Sequence, residues 1–112
     1  MSPELENKLY TDFPKLFAQK DLPKEHTCMC WGIECPDEWF DIIYSVCETL
    51  QSMTDDNKDI SDKYPQVEFT QVKEKFGSLR MYKNVNSDYV NGVLDLAETM
   101  IQKLNIKNNF IW

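Results

Sequence analysis

The sequence lacks the long apolar run that a membrane-spanning helix needs, and it has a single histidine among 112 residues. A transmembrane helix needs a run of roughly 18 or more apolar residues, and the sequence has none of that length, so no membrane partner is expected. Residues 1–8 are polar and contain two glutamates, so they lack the cationic and apolar regions of a secretory signal. No complete nucleophile–base motif is present, so the sequence predicts a binding protein and not an enzyme.

The composition is that of a folded globular chain, with 42% hydrophobic and 12% aromatic residues. Its length predicts a single domain over residues 1–112. Four cysteines without a secretory signal indicate a reducing, cytoplasmic setting and not a disulfide scaffold. The apolar residues 110–112 are expected to dock onto the domain, because burying aromatic side chains stabilises it, although contact with a partner is the alternative.

Negative charge is concentrated in one part of the chain. The formal net charge is −7, which disfavours a uniformly basic nucleic-acid binder, but residues 34–62 alone carry nine acids and one lysine. Such a segment can occupy a basic cleft of a partner protein. The alternative is a helix start followed by a solvated loop, since the aspartates lack calcium-loop spacing. The candidate acidic partner-binding residues are Asp37, Glu38, Asp41, Asp55, Asp56, Asp59 and Asp62.

Helical periodicity predicts three helices. The first begins after Ser2, a good N-cap that is followed by proline. The second spans residues 36–53 with one apolar face, and the third spans 87–104. The polar residues 54–63 are predicted to form a loop.

Alternating polarity predicts a β-hairpin between the second and third helices. Its strands are 66–75 and 79–83, and Val72 falls out of phase, which indicates a bulge or a strand covered on both faces. An isolated hairpin is marginally stable, so helices must cover it or a third strand must extend it, from 26–33 or 106–112. The predicted fold is a small α+β domain of order α-α-β-β-α, with helices packed on the hairpin or small sheet.

The hairpin is locally basic despite the acidity of the chain. Its cations are interleaved with Phe76 and Tyr82, a mixture that can hold a phosphate backbone and stack a base. The alternative is a solvated sheet face whose lysines prevent aggregation. The candidate basic partner-binding residues are Lys73, Lys75, Arg80 and Lys83.

Three of the four cysteines and the only histidine fall within residues 26–35. Thiolate and imidazole ligands suit tetrahedral zinc, so a small zinc-binding structural domain is the alternative function. Against zinc, two of the cysteines are separated by only one residue, unlike the usual two-residue spacing. A second interpretation is that the cysteines fill the core under Trp31 and Trp39, with no cofactor. The candidate zinc ligands are His26, Cys28, Cys30 and Cys35.

Two motifs resemble those of a family of small bacteriophage and prophage proteins. The first is TCMCWGIEC at 27–35 with Trp39 four residues further on, and the second is QVKEKFGSLRMY at 71–82. The resemblance covers about residues 10–104. Small acidic phage proteins often inhibit host defence nucleases. The resemblance therefore implies an anti-CRISPR-type protein in the bacterial host cytoplasm, which binds a nucleic-acid-guided nuclease or its guide RNA.

Overall fold

The computed structural model describes residues 1–57 and 63–108. Within these ranges, three α-helices and a small mixed sheet share one hydrophobic core, which confirms the predicted α+β fold. The predicted α-α-β-β-α order is also found, with a two-residue strand added between the first two helices. Short 3₁₀ turns precede β1 and α2. The elements are α1 (Pro3–Asp12), β1 (Ile33–Glu34), α2 (Phe40–Asp56), β2 (Phe69–Lys75), β3 (Ser78–Lys83) and α3 (Asp88–Lys107).

The sheet has the strand order β1-β2-β3. Strand β1 runs parallel to β2, with Ile33 opposite Val72, and β3 runs antiparallel to β2. The third strand overlaps the predicted 26–33 segment only at Ile33 and continues to Glu34. The register between β2 and β3 shifts between Phe69 and Gln71, which agrees with the first of the two alternatives, a bulge or a strand covered on both faces, that the phase of Val72 predicted.

Local capping fixes where two helices begin. The Ser2 hydroxyl accepts from the Leu5 backbone N–H at 3.4 Å, and the Ser87 hydroxyl accepts from that of Val90 at 3.5 Å. Each bond satisfies one backbone donor that the first helical turn leaves free. Both starts match the sequence prediction.

The predicted loop over 54–63 is wrong at its beginning, since α2 continues to Asp56. The Thr54 hydroxyl donates to the Pro65 carbonyl at 3.2 Å, and the Asn57 side chain donates to the Met53 carbonyl at 3.0 Å. These bonds give the polar end of the helix partners that periodicity alone does not reveal. Helix α3 is also longer than predicted and reaches Lys107. The predicted docking of 110–112 falls outside the described residues.

The core covers one face of the sheet. Val72, Leu79 and Met81 are buried in it, and α3 packs on β3. Helix α2 packs beside α3 in the opposite direction, since bonds join the start of each helix to the end of the other. The fully buried Trp39 lies where the start of α2 meets the end of α3. Because side chains alternate along a strand, the residues between these apolar positions lie on the opposite face.

Candidate nucleic-acid interface

The sheet register places three of the four predicted cations on one face. Lys73 lies directly opposite Arg80, and residues directly opposite in neighbouring strands share a face. Lys75 is two residues from Lys73 and so lies on the same face of β2. Val72, the residue before Lys73, is buried on the opposite face. The cluster of Lys73, Lys75 and Arg80 that the sequence suggested is therefore brought together.

Other residues complete this surface, which we call the open sheet face. Tyr82 is opposite Gln71 and is 43% exposed, and Glu34 is the neighbour of Lys73 on β1. The surface combines three cations, one carboxylate and one aromatic ring. Its members are Glu34, Gln71, Lys73, Lys75, Ser78, Arg80 and Tyr82.

Lys83, the fourth predicted cation, projects from the opposite face of the sheet. It is opposite Phe69, which is buried, so alternation places it on the reverse side of β3 from Arg80. It lines a groove of about 390 Å³ between β3 and α3. Arg80 reaches the same groove at the sheet edge, where its guanidinium is 3.5 Å from the Glu98 carboxylate. This partly exposed ion pair orients Arg80 more than it stabilises the fold.

The hairpin turn has an unusual backbone. Phe76 and Gly77 have φ of 54° and 79°, as the two central residues of a type I′ turn require. The Gly77 N–H donates to the Glu74 carboxylate at 2.9 Å, and its carbonyl accepts from the Asn105 side chain at 2.8 Å. Phe76 is 88% exposed. The predicted strands 66–75 and 79–83 leave residues 76–78 as their connection, and no sequence feature there indicates a left-handed Phe76.

The predicted acidic residues form two separate groups. Asp37, Glu38 and Asp41 lie at the start of α2, and the Asp37 carboxylate accepts from the Ser2 backbone N–H at 2.7 Å. Asp55 and Asp56 lie at the other end of the helix. Fourteen residues at 1.5 Å each separate the groups by about 20 Å. Asp59 and Asp62 fall outside the described residues.

The predicted zinc ligands point to different places. His26 and Cys28 line a shallow hollow beside Tyr82, Cys30 lines a second hollow, and Cys35 is buried. No group of three histidine, cysteine or acidic side chains fit for a metal is found within 1–57 and 63–108. No hydrogen bond joins His26 to Cys28 in this part of the chain, as a nucleophile–base pair would need.

The core-filling interpretation of the cysteines holds for two of the four. Cys35 and Cys47 are buried, and burial raises the pKa of the Cys35 thiol to about 12 and also raises that of the Cys47 thiol. Both are therefore protonated at neutral pH, in the form that binds metal poorly. The interpretation is wrong for Cys28, which is exposed, and Trp31 does not cover a core there, since it is itself 62% exposed.

The two motifs of the phage resemblance lie side by side in the sheet. Ile33 and Glu34 of the first motif pair with Val72 and Lys73 of the second. The Cys28 N–H and the Thr27 hydroxyl both donate to the carbonyl of Thr70, the residue before the second motif, at 3.0 and 3.2 Å. Gly32, the residue directly before β1, has a φ of 78°. A Cβ on this residue would lie 2.6 Å from a carboxylate oxygen of Glu6. That carboxylate accepts from the Ile33 N–H at 2.9 Å, so the glycine lets α1 fasten the edge of the sheet.

No family model matches the chain, and neither the curated proteins nor the solved structures compared with it give a match. Within residues 1–57 and 63–108, no helix combines the length and apolar character needed to cross a bilayer. The open sheet face brings together three cations and an exposed aromatic ring on rigid strands.

Proposed function

We propose that this protein binds single-stranded nucleic acid through the open sheet face. The observation that carries the proposal is the placement of Lys73, Lys75 and Arg80 on one face beside Tyr82. Cations on a sheet neutralise phosphates, and an exposed aromatic ring stacks a base. The rigid strands hold both at fixed spacing, which lowers the entropy lost on binding.

The acidity of the rest of the chain limits where nucleic acid binds. With a net charge of −7, most of the surface repels phosphates, so contact is restricted to the locally basic face. Three cations support a modest, salt-sensitive affinity. Such a surface suits an RNA that is already displayed by a larger complex, where the remaining affinity comes from contacts to protein.

We further propose that the target is a nucleic-acid-guided host nuclease. In this proposal the protein is a phage-encoded inhibitor of the anti-CRISPR type, which acts in the bacterial cytoplasm by contacting the guide RNA. The support is the phage resemblance, whose two motifs pair in the sheet and carry Lys73, Lys75 and Arg80. The proposed role is one of binding.

Two alternatives have less support. Filling a basic channel with the acidic residues is less favoured because they divide into groups about 20 Å apart along α2. A zinc-binding structural role is less favoured because Cys35 is buried while His26 and Cys28 share a hollow that Cys30 does not line.

Charge reversal tests the proposal. The double variant Lys73→Glu/Lys75→Glu should weaken binding to a fluorescein-labelled single-stranded RNA of about 12 nucleotides. Loss of two phosphate contacts predicts at least about a tenfold rise in Kd by fluorescence anisotropy. The matched control is Lys15→Glu/Lys103→Glu, which makes the same charge change at exposed sites elsewhere. Absence of wild-type binding at low salt, or an equal loss in the control, contradicts the proposal.

The inhibitory role has its own test. The same double variant should lose inhibition of target cleavage by a host guided nuclease, and the matched control should keep it. Reversal of Asp55 and Asp56 to lysine distinguishes the RNA contact from the alternative in which acidic residues fill a basic channel. Only that alternative predicts that this variant loses inhibition. Unchanged inhibition by Lys73→Glu/Lys75→Glu would contradict an RNA contact through the open sheet face.

A further inference from the structure

Phe76 combines two features that are unfavourable for the folded domain alone. Its φ of 54° lies in the left-handed region, where a bulky side chain is strained, and its side chain is 88% exposed. Asparagine or glycine is the ordinary residue at this position of a type I′ turn. An aromatic ring therefore stands where both turn geometry and the hydrophobic effect favour a small polar residue.

The turn that presents this ring is held in place. Both backbone polar groups of Gly77 are bonded, one to Glu74 and the other to the side chain of Asn105. Asn105 is itself buried and accepts from the Trp39 indole N–H at 3.3 Å. The backbone of the tip is thus connected to the core, so the ring projects from a fixed position.

The neighbours of Phe76 indicate which ligand it meets. The cations Lys73 and Lys75 lie on the open sheet face and lead along β2 directly to Phe76. A negatively charged backbone that follows these cations reaches the turn, where a base can stack on an exposed ring. The charge next to the ring favours nucleic acid over an apolar protein pocket as its occupant.

We propose that Phe76 is a base-stacking residue of the nucleic-acid site and sets one end of the bound segment. This inference rests on the proposed function. It predicts that stability and binding change in opposite directions when the residue is replaced, because the strain is relieved as the stacking surface is lost.

The variants Phe76→Asn and Phe76→Trp test the inference. Phe76→Asn should raise Tm while raising the Kd for a single-stranded RNA of about 12 nucleotides by roughly fivefold or more, the range typical of one lost stacking contact. Phe76→Trp should retain wild-type affinity, since it keeps an aromatic surface. A 2-aminopurine base in the RNA should lose fluorescence on binding wild-type protein and much less on binding Phe76→Asn. Leu96→Gln removes an exposed apolar side chain from α3 and should leave the Kd unchanged.

The outcomes separate this inference from the proposed function. Unchanged RNA affinity in Phe76→Asn, with weakened affinity in Lys73→Glu/Lys75→Glu, overturns the stacking role and leaves the open sheet face in place. Absence of RNA binding by wild-type protein overturns both. If Phe76→Asn loses only binding to an RNA-free nuclease protein while RNA affinity is unchanged, the ring is a protein contact and the inference is wrong.

Discussion

Asn105 connects the hairpin turn to the centre of the core: its side-chain nitrogen donates to the Gly77 carbonyl at 2.8 Å, while its oxygen accepts from Trp39 Nε1 at 3.3 Å. The three residues come from β2–β3, α3 and the start of α2. A buried amide with both ends bonded is stable, whereas a partner left unbonded in the interior is costly. This one side chain therefore fixes the relative positions of three segments.

Asn105→Leu tests that connection. The substitution leaves the Gly77 carbonyl and the Trp39 indole without these bonds in a buried setting, so the free energy of unfolding should fall by about 2 kcal/mol. Urea denaturation followed by tryptophan fluorescence measures it. Gln102→Leu, at an exposed position of the same helix, should change stability little. Equal stability of the two variants would contradict the structural role of Asn105.

The strained turn predicts a stabilising substitution. Phe76→Asn should raise the free energy of unfolding by about 1 kcal/mol, because asparagine adopts the left-handed conformation with less strain. Phe76→Ala is the matched control: it removes the ring but lacks the short polar side chain that lets asparagine adopt φ 54° with less strain, so it should gain little. Chemical denaturation distinguishes the two variants. A gain as large in alanine as in asparagine would assign the effect to the exposed ring and not to the backbone.

Structural features that depend on residues close together in the sequence were predictable. Ser2 and Ser87 start their helices by bonding backbone groups three positions along, and the bulge near Gln71 follows from the phase of the buried residues. The two-residue strand β1 was only broadly anticipated. Its pairing joins residues 39 positions apart, Ile33 and Val72, and the short segment carries little pattern of its own.

The candidate site was predictable in part for the same reason. Strand alternation alone places Lys73 and Lys75 on one face. Net charge counted along a segment does not distinguish faces, and so it grouped Lys83 with them although Lys83 lies on the reverse side. The left-handed φ of Phe76 is set by the pairing of Lys75 with Ser78, which leaves only two residues for the turn.

Salt dependence measures how many phosphates the open sheet face contacts. If Lys73, Lys75 and Arg80 each neutralise one phosphate of single-stranded RNA, log Kobs should fall with log salt with a slope of about −2. Lys73→Glu/Lys75→Glu should reduce the slope to roughly −0.7, since one contact remains. Anisotropy titrations between low and physiological salt provide the slope. A wild-type slope near zero would exclude phosphate contacts as the source of affinity.

Thiol labelling should distinguish the four cysteines. Cys28 is exposed and should react first with a thiol reagent in the native protein, and Cys30, whose Sγ donates to the Thr27 carbonyl at 3.5 Å, should follow. Cys35 and Cys47 should react only after unfolding, because they are buried and burial raises their pKa. Mass spectrometry of timed samples counts the modified sites, and Cys28→Ser should remove the fastest phase. Native labelling of Cys47 as fast as that of Cys28 would contradict the packing of α2.

Acid should weaken the junction of α1 and α2 through Asp12. The Tyr44 hydroxyl donates to this carboxylate at 2.6 Å and the Lys8 ammonium lies 3.0 Å away, so the folded-state pKa of Asp12 is below its ordinary value of 3.8. A depressed folded pKa means that the stabilisation is fully present above the ordinary pKa and is lost as pH falls through the folded value.

Asp12→Asn should therefore have a lower Tm than wild type at pH 7, and this difference should shrink as pH falls from about 5 toward 2. Thermal unfolding at a series of pH values measures both chains under the same conditions. Asp95→Asn, at an exposed position of α3, is the control for removing one negative charge. A Tm difference for Asp12→Asn that stays constant down to about pH 2 would mean that the carboxylate charge does not hold the two helices together.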